Sequence, residues 1–218
     1  MKKLLENNHD VILTDRVFSV LKKYENKLED RFLTSEKEML EAYKLRYKSF
    51  CLSLKWLPKN EEKLETDSYD EKAVHIGVYS NKKLITYCRI ITNTDQFMIN
   101  KEFEGLLDIS QLKDNSMELS RLSSSDNVNS FKKFTALLLM YRKLYGFMIS
   151  KNLRYCYIVV TKQYLKTIKK IFPFKKVGQV RRYDSDNLTV AAVLDLRFLE
   201  DFFEKDEKLF SWFIKSQA

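Results

Sequence analysis

The 218-residue chain has only two histidines, His9 and His75, and three scattered cysteines, Cys51, Cys88 and Cys156, with no Cys-x-x-Cys pair. So few ligands leave little material for a zinc cluster or a Ser-His-Asp triad, and no metal site is expected. An odd, unpaired set of cysteines indicates a reduced, cytoplasmic chain. Four glycines and two prolines, with no internal period, argue against a repeat array, a collagenous segment or a Gly-rich phosphate loop. No apolar run reaches the length of a membrane span, and the N-terminus carries no signal-peptide core. No Pro/Gly/Ser-rich linker divides the chain either. With 44% hydrophobic residues, a single domain over 1–218 is expected: a helical extension at 1–33, a core at 34–196 and a final helix at 197–218.

The formal charge is +9, and its distribution is more informative than its size. From Asn127 to Tyr183 there are fourteen Lys or Arg and no Asp or Glu, whereas residues 1–109 hold nineteen of each sign. A stretch of one sign needs an anionic partner or a large solvated face. Nucleic acid is one candidate partner, because the stretch is also rich in Tyr and Phe that could stack on bases. Against it, most of those aromatics fall on faces expected to be buried.

Val17, Leu21, Tyr24, Leu28 and Phe32 recur at helical spacing, with Asp15 near the start. A second helix is predicted from Ser35, where Ser35 and Glu38 have capping-box spacing. Its apolar stripe, Met39, Tyr43 and Phe50, has Arg46 in the middle. A guanidinium there needs a carboxylate or a ligand, because an unpaired buried charge is expensive. Residues 51–73 read as a long loop with Trp56 and the acids Glu61, Glu62, Glu65, Asp67, Asp70 and Glu71. Val74–Tyr79 and Leu84–Ile91 read as a hairpin around Ser80–Lys83. In it Arg89 shares a face with Ile85, Tyr87 and Ile91, and His75 reads as a packed sheet residue.

A short helix or turn is expected near Phe103–Leu107, followed by a strand containing Met117-Glu118-Leu119-Ser120-Arg121. Positions i and i+3 of a regular strand face opposite sides, so Glu118 and Arg121 line one cavity only if the strand carries a bulge. A helix from Phe131 to Met148, the apolar strand Tyr155–Val160, a helix running to Ile171 and paired strands over Phe174–Val180 and Leu188–Leu196 follow. The last pair turns near Asp186-Asn187. The fold class is therefore α/β: a mixed central sheet with one parallel crossover, bulged and splayed strands, and flanking helices.

Tyr43-Lys44-Leu45-Arg46-Tyr47-Lys48-Ser49-Phe50, Trp56, Asp67-x-x-Asp70, Arg89 and Glu118-Leu119-Ser120-Arg121 together resemble the autoinducer-synthase family, acyl-homoserine-lactone synthases with a GNAT-like acyltransferase fold. Arg46, Phe50, Trp56, Asp67, Asp70, Arg89, Glu118 and Arg121 match all eight signature positions, in order. The resemblance runs over Glu38–Leu196. Tyr47-Lys48-Ser49-Phe50-Cys51, Glu65-Thr66-Asp67-x-Tyr69-Asp70 and Val74-His75 are more similar to the N-acyl amino acid synthases of the same superfamily. The pyrophosphate loop of acetyl-CoA-dependent relatives is replaced by Ser123–Ser130, which favours acyl carrier protein over coenzyme A as donor.

The resemblance implies an N-acyltransferase without a resident cofactor. An acyl-carrier-protein thioester would be the donor and an amino acid the acceptor, with S-adenosylmethionine as the alternative acceptor. Amine attack on a thioester needs a proton acceptor, alignment and oxyanion stabilisation. Glu118 is the expected proton acceptor, and backbone N–H groups at the bulge are the expected oxyanion donors. Asp67 and Asp70 would hold the acceptor's ammonium, with Arg46, Arg89 and Arg121 pairing them or clamping its carboxylate. Phe50 and Trp56 would close the pocket, and apolar residues between parted strands would line an acyl tunnel. The acidic carrier would dock on Lys132, Lys133, Arg154, Lys166, Lys169, Lys170, Arg181 and Arg182.

Overall fold

A computed structural model describes residues 10–183, 187–204 and 207–214, by backbone alone at 10–16, 109 and 209. His9 and Asp186 lie outside the described residues. The first helix, α1, runs Asp10–Tyr24, so Asp15 falls inside it and not at its start. The extension then leaves the helix: Glu29–Phe32 form a strand, β1, paired antiparallel with β2 (Val74–Ser80) from Glu29↔Tyr79 to Phe32↔Ile76. Leu28 and Phe32 keep helical spacing, but hydrogen bonding to the exposed edge of β2 decides the outcome, a tertiary override of local pattern.

Helix α2 (Glu36–Tyr47) starts at the capping box: the Glu38 N–H donates to Ser35 Oγ at 3.3 Å and the Ser35 N–H to Glu38 Oε2 at 3.1 Å. It opens into a wider π turn over Lys48–Ser53, in which the Leu54 N–H reaches the Ser49 carbonyl. Such turns interrupt helices at functional sites more often than elsewhere. The hairpin of β2 and β3 (Lys83–Ile91) turns at Asn81 and Lys82, both left-handed with φ of 50° and 62°. The remaining elements are α3 (Met98–Lys101), β4 (Ser116–Ser124), α4 (Ser130–Ser150), β5 (Tyr155–Thr161), α5 (Lys162–Ile168), β6 (Lys175–Arg182), β7 (Leu188–Asp195), α6 (Leu196–Glu204) and α7 (Glu207–Phe213). The helical turn expected at Phe103–Leu107 thus lies earlier, at α3, and left-handed Gly105 (φ 72°) bends the later segment. Helix α5 stops at Ile168, short of the expected Ile171, and two helices replace the single final one.

Among the described residues, seven strands lie in the order β1-β2-β3-β4-β5-β7-β6, with β4 and β5 parallel across α4, and the mixed sheet is flanked by helices as expected. The described residues form two compact units, one from residues within 1–89, 121–146 and 206–218, the other from residues within 90–120 and 147–205. In the first, Leu33, Ala42, Leu45, Tyr79 and Tyr87 form a buried cluster under Met39 and Leu84. Glu25 accepts both Trp212 Nε1–H at 2.7 Å and an Arg142 N–H at 3.1 Å, tying α7 and α4 to the segment after α1. No helix among the described residues is long and apolar enough to cross a membrane.

In the second unit, the β4/β5 ladder comprises four pairs, Ser116↔Tyr155 to Leu119↔Ile158, while β5 continues to Thr161. Its burial changes at the same point: Cys156–Ile158 are buried and Val159–Thr161 are half-buried. The β6/β7 pairing shifts register between Val177 and Val180, where Gly178 has φ 62°. A β-carbon on Gly178 would collide with the Leu106 carbonyl oxygen, and the Gln179 N–H donates to that same oxygen at 2.8 Å. Backbone strain and a backbone clash therefore coincide. Gly178→Ala is expected to cost about 2 kcal/mol or more. Calorimetry should show a melting temperature lowered by roughly 4–8 °C, given about 2–4 °C per kcal/mol in a chain of this size. An unchanged melting temperature would refute the clash.

Candidate active site

Seven of the eight residues singled out from the sequence meet in the first unit. Arg46 comes from α2, Phe50 from the π turn, Trp56 and the two aspartates from the loop, Arg89 from β3 and Arg121 from β4. Arg46 is fully buried and pairs through Nε with Glu65 and through Nη1 with Asp70 at 2.5 Å. Arg89, equally buried, pairs with Asp67 and reaches Asp70 at 2.6 Å. Arg121 reaches Glu65 at 3.0 Å and Asp67 at 2.8 Å. Three guanidiniums thus face three carboxylates, and every carboxylate touches at least two guanidiniums. Planar guanidinium forks suit this kind of shared pairing.

The carboxylate loop is folded to hold these positions. Asp70 Oδ2 accepts the Asp67 N–H at 2.8 Å, Asp67 Oδ1 accepts the Tyr69 N–H at 3.0 Å, and the Glu65 N–H donates to the Tyr43 carbonyl at 3.2 Å. Tyrosine faces cover the cations: the Tyr43 and Tyr87 rings lie 5.4 and 5.9 Å from the Arg46 guanidinium and the Tyr69 ring 5.5 Å from that of Arg89. Arg121 adopts φ 53° inside β4, a break in regular strand geometry. Its guanidinium lies 5.4 Å from the ring of Phe50, and the exposed Trp56 ring is 6.0 Å from Phe50.

Burial alone would discharge these groups, and pairing reverses that. For Arg46, burial pushes the pKa down, but hydrogen bonds to Glu65 and Asp70 raise it above the ordinary guanidinium value. For Arg89, burial is likewise outweighed by Asp67. Asp70, which burial would raise, is held below the usual carboxylate range by Arg46. His75 is instead pushed down by burial and is neutral near pH 7. Its Nε2 lies 3.0 Å from the Asp70 carbonyl, which can only accept, so Nε2 carries the proton and Nδ1 accepts the Tyr87 O–H at 2.7 Å. His75 is thus the packed sheet residue expected, and it fixes the backbone of Asp70.

Glu118 belongs to the second unit. It is buried in β4 opposite Tyr157 and accepts the Ile99 N–H at 3.4 Å. The thiol of neighbouring Cys156 is pushed up by burial and by the charge of Glu118. Of the expected docking cations, Lys132 and Lys133 lie on α4 in the first unit and the other six in the second. Lys133 pairs with Asp126 at 3.4 Å, and Arg154 holds Asp195 through two nitrogens at 3.0 and 2.7 Å. The aromatics of the basic stretch are largely core: Tyr141, Tyr145, Tyr157, Phe172 and Phe174 are all buried, which removes most of the stacking platform a nucleic acid would use.

Glu65 is the network residue to which the sequence pattern assigns no role. The signal it does carry is charge matching, since three arginines that need partners face only two assigned aspartates. Glu65 is the nearest further acid in the same motif.

No curated protein sequence matches the chain. Among solved structures, the chain is similar to the AHL synthase LasI (TM-score 0.68, 20% identity, 78% of this chain and 90% of that one). It is also similar to BjaI, a CoA-dependent acyl-homoserine lactone synthase solved with SAM and isopentyl-CoA (TM-score 0.70, 16% identity, 82% and 89%). A third similar structure is FeeM, an N-acyl amino acid synthase from uncultured soil microbes (TM-score 0.60, 14% identity, 80% and 93%). These likenesses show the GNAT-like acyltransferase fold. Residues 41–194, most of the chain, match the family of the N-acyl amino acid synthase FeeM, and all eight signature residues fall inside that span. The chain therefore belongs to the FeeM family of N-acyl amino acid synthases and is an N-acyltransferase.

Proposed function

We propose that the protein moves a fatty acyl group from an acyl-carrier-protein thioester to the amino group of an amino acid. The observation that carries this reading is the family match over residues 41–194, which encloses the arginine–carboxylate network and Glu118. The acceptor reacts as the neutral amine, after its ammonium has given one proton to water: the nitrogen attacks the thioester carbonyl, the C–N bond forms, the C–S bond breaks and the carrier leaves as a thiolate. Glu118 accepts the proton that the nitrogen loses in the adduct and passes it to the thiolate sulfur. Asp67 and Arg121, the least buried members of the network, bind the ammonium and carboxylate of the acceptor, while Arg46, Glu65, Arg89 and Asp70 fix their positions. Phe50 and Trp56 cover the acceptor from the apolar side. The uninterrupted positive charge of Asn127–Tyr183 supports an acidic carrier as donor, with Lys132, Lys166, Lys169, Lys170, Arg181 and Arg182 as the principal docking groups.

The test is one incubation analysed by mass spectrometry: purified protein, acyl carrier protein charged with a long acyl chain, and a pool of amino acids. An N-acyl amino acid formed without S-adenosylmethionine is the expected product. A lactone that requires S-adenosylmethionine would assign the chain to homoserine-lactone synthesis instead. The same assay tests the donor. Arg181→Glu with Arg182→Glu should raise KM for the acylated carrier several-fold and leave the KM of an acyl-pantetheine within about twofold, because rim charges act on encounter with a charged partner. Added salt should mimic the variant. Equal loss with both donors would refute carrier docking on this strand.

A further inference from the structure

His75 is one of two histidines in the sequence, it makes none of the ion pairs of the arginine–carboxylate network, and the acyl-transfer steps do not use it. It is buried in β2 and touches that network through its ring nitrogens. Nε2–H donates to the Asp70 carbonyl at 3.0 Å, Nδ1 accepts the Tyr87 O–H at 2.7 Å, and the Tyr87 ring stacks on the imidazole at 6.0 Å. Asp70 sits where two turns meet. Its N–H donates to the Asp67 carbonyl at 3.2 Å, and its own carbonyl accepts the Ala73 N–H at 3.3 Å as well as His75. Its carboxylate holds the Asp67 N–H, Arg46 and Arg89. Every polar group of Asp70 is thus engaged, and displacing its carbonyl displaces the turn that carries Asp67.

Neutral His75 satisfies both neighbours, and the imidazolium does not. With Nδ1 protonated, an N–H would face the Tyr87 O–H across 2.7 Å, and the phenol hydrogen would have to turn away although Tyr87 is fully buried. Burial keeps that phenol protonated. The charges acting on the ring are Asp70 from the loop, Arg46 from α2 and Arg89 from β3. The two guanidiniums oppose a third cation, and Asp70 is already shared between them. From the side of β1 the Leu33 N–H donates to the His75 carbonyl at 2.9 Å, which fixes the backbone and leaves the ring to its two partners.

We propose that His75, braced by Tyr87, is a positioning residue for the acceptor: its neutral ring holds the Asp67–Asp70 turn in place, and protonation releases that turn and weakens acceptor binding. The proposal rests on the reading of Asp67 as an acceptor-binding group. His75 takes up its proton below the ordinary histidine value, since burial disfavours the charged ring. The unfolded chain therefore binds that proton first. Stability falls with pH between the ordinary value and the folded one, and His75 takes no more of it below both.

Side-chain nitrogen NMR of the His9→Gln protein, in which His75 is the single histidine, reads the ring directly. The Nε2–H tautomer is expected, with a titration midpoint below about 6.5. Tyr87→Phe removes the O–H that favours neutral Nδ1 and should raise this midpoint by about half a pH unit or more. The acceptor KM should climb several-fold as pH falls through the same midpoint, and Tyr87→Phe should move that limb by the same amount. A merely structural tyrosine would change KM without moving the limb. His75→Leu should raise the acceptor KM about tenfold even above the midpoint. His75→Gln, which keeps an N–H for the Asp70 carbonyl and takes up no proton, should restore most of that loss and abolish the limb. An Nδ1–H tautomer, a midpoint at or above the ordinary value, or a KM limb that stays in place while the NMR midpoint moves overturns the proposal. If the parent protein acylates no amino acid, the acceptor reading fails by itself and amide exchange decides the rest. Below the midpoint the Asp67 and Asp70 N–H groups should exchange about tenfold faster in the parent than in His75→Gln, and equal exchange overturns the release of the turn.

Discussion

Arg46→Met should lower the stability of the protein by about 3–5 kcal/mol, the loss seen when one partner of a buried ion pair is removed. Methionine fills much of the same volume, so a cavity is not the main cause. The cost arises because Glu65 and Asp70, both buried, would each lose their Arg46 partner. Glu65 would retain Arg121 at 3.0 Å and Asp70 would retain Arg89 at 2.6 Å, so the network is weakened without being emptied. Urea denaturation gives the measurement: a midpoint shift without a change in slope. Adding Glu65→Gln to Arg46→Met should restore part of the loss, because it removes the one carboxylate left in excess of the two remaining guanidiniums, and the two substitutions should therefore be strongly non-additive. A single-variant loss under about 1 kcal/mol would mean that Arg46 reaches water or another partner, which its full burial argues against.

The pattern that places Arg46 in the network is legible in the amino-acid sequence itself. A guanidinium in the middle of an apolar helical stripe is locally inconsistent, and such inconsistencies concentrate at functional sites. Arg89 carries the same signal on a strand that proves buried on both faces. The spacing of Glu118 and Arg121 brings both to one side only if the strand is irregular, and β4 is irregular at Arg121, where φ is 53°. Glu65 is harder to single out, because it is one of six acids in an irregular segment without a period. Three of them, Glu61, Glu62 and Glu71, are exposed, and beyond its place in the motif with Asp67 and Asp70 it is pairing with the arginines that distinguishes Glu65 from those. Strand β1 escapes a reading by pattern because Leu28 and Phe32 suit a helix, and its strand identity comes from a distant partner, β2.

Glu118→Gln should reduce kcat about 10²–10⁴-fold, the usual worth of a positioned proton acceptor, while the melting temperature changes little. The substitution keeps the shape of the side chain, and the carbonyl oxygen of glutamine can still accept the Ile99 N–H that Glu118 accepts at 3.4 Å. The position in β4 opposite Tyr157 is set by backbone pairing and is unaffected. What the amide loses is basicity. It cannot take the proton of the tetrahedral adduct, so acyl transfer would have to rely on bulk water in a position that is almost fully buried. This is the reverse of the expectation for Arg46→Met, where stability falls through lost pairing, and the two variants together separate chemistry from scaffolding. The acceptor KM should move only a few-fold, because the residues assigned to bind the acceptor, Asp67 and Arg121, are untouched. Single-turnover rates of amide formation at saturating donor give the measurement. Turnover within about threefold of the parent, accompanied by a lower melting temperature, would move Glu118 from proton acceptor to structural member of β4.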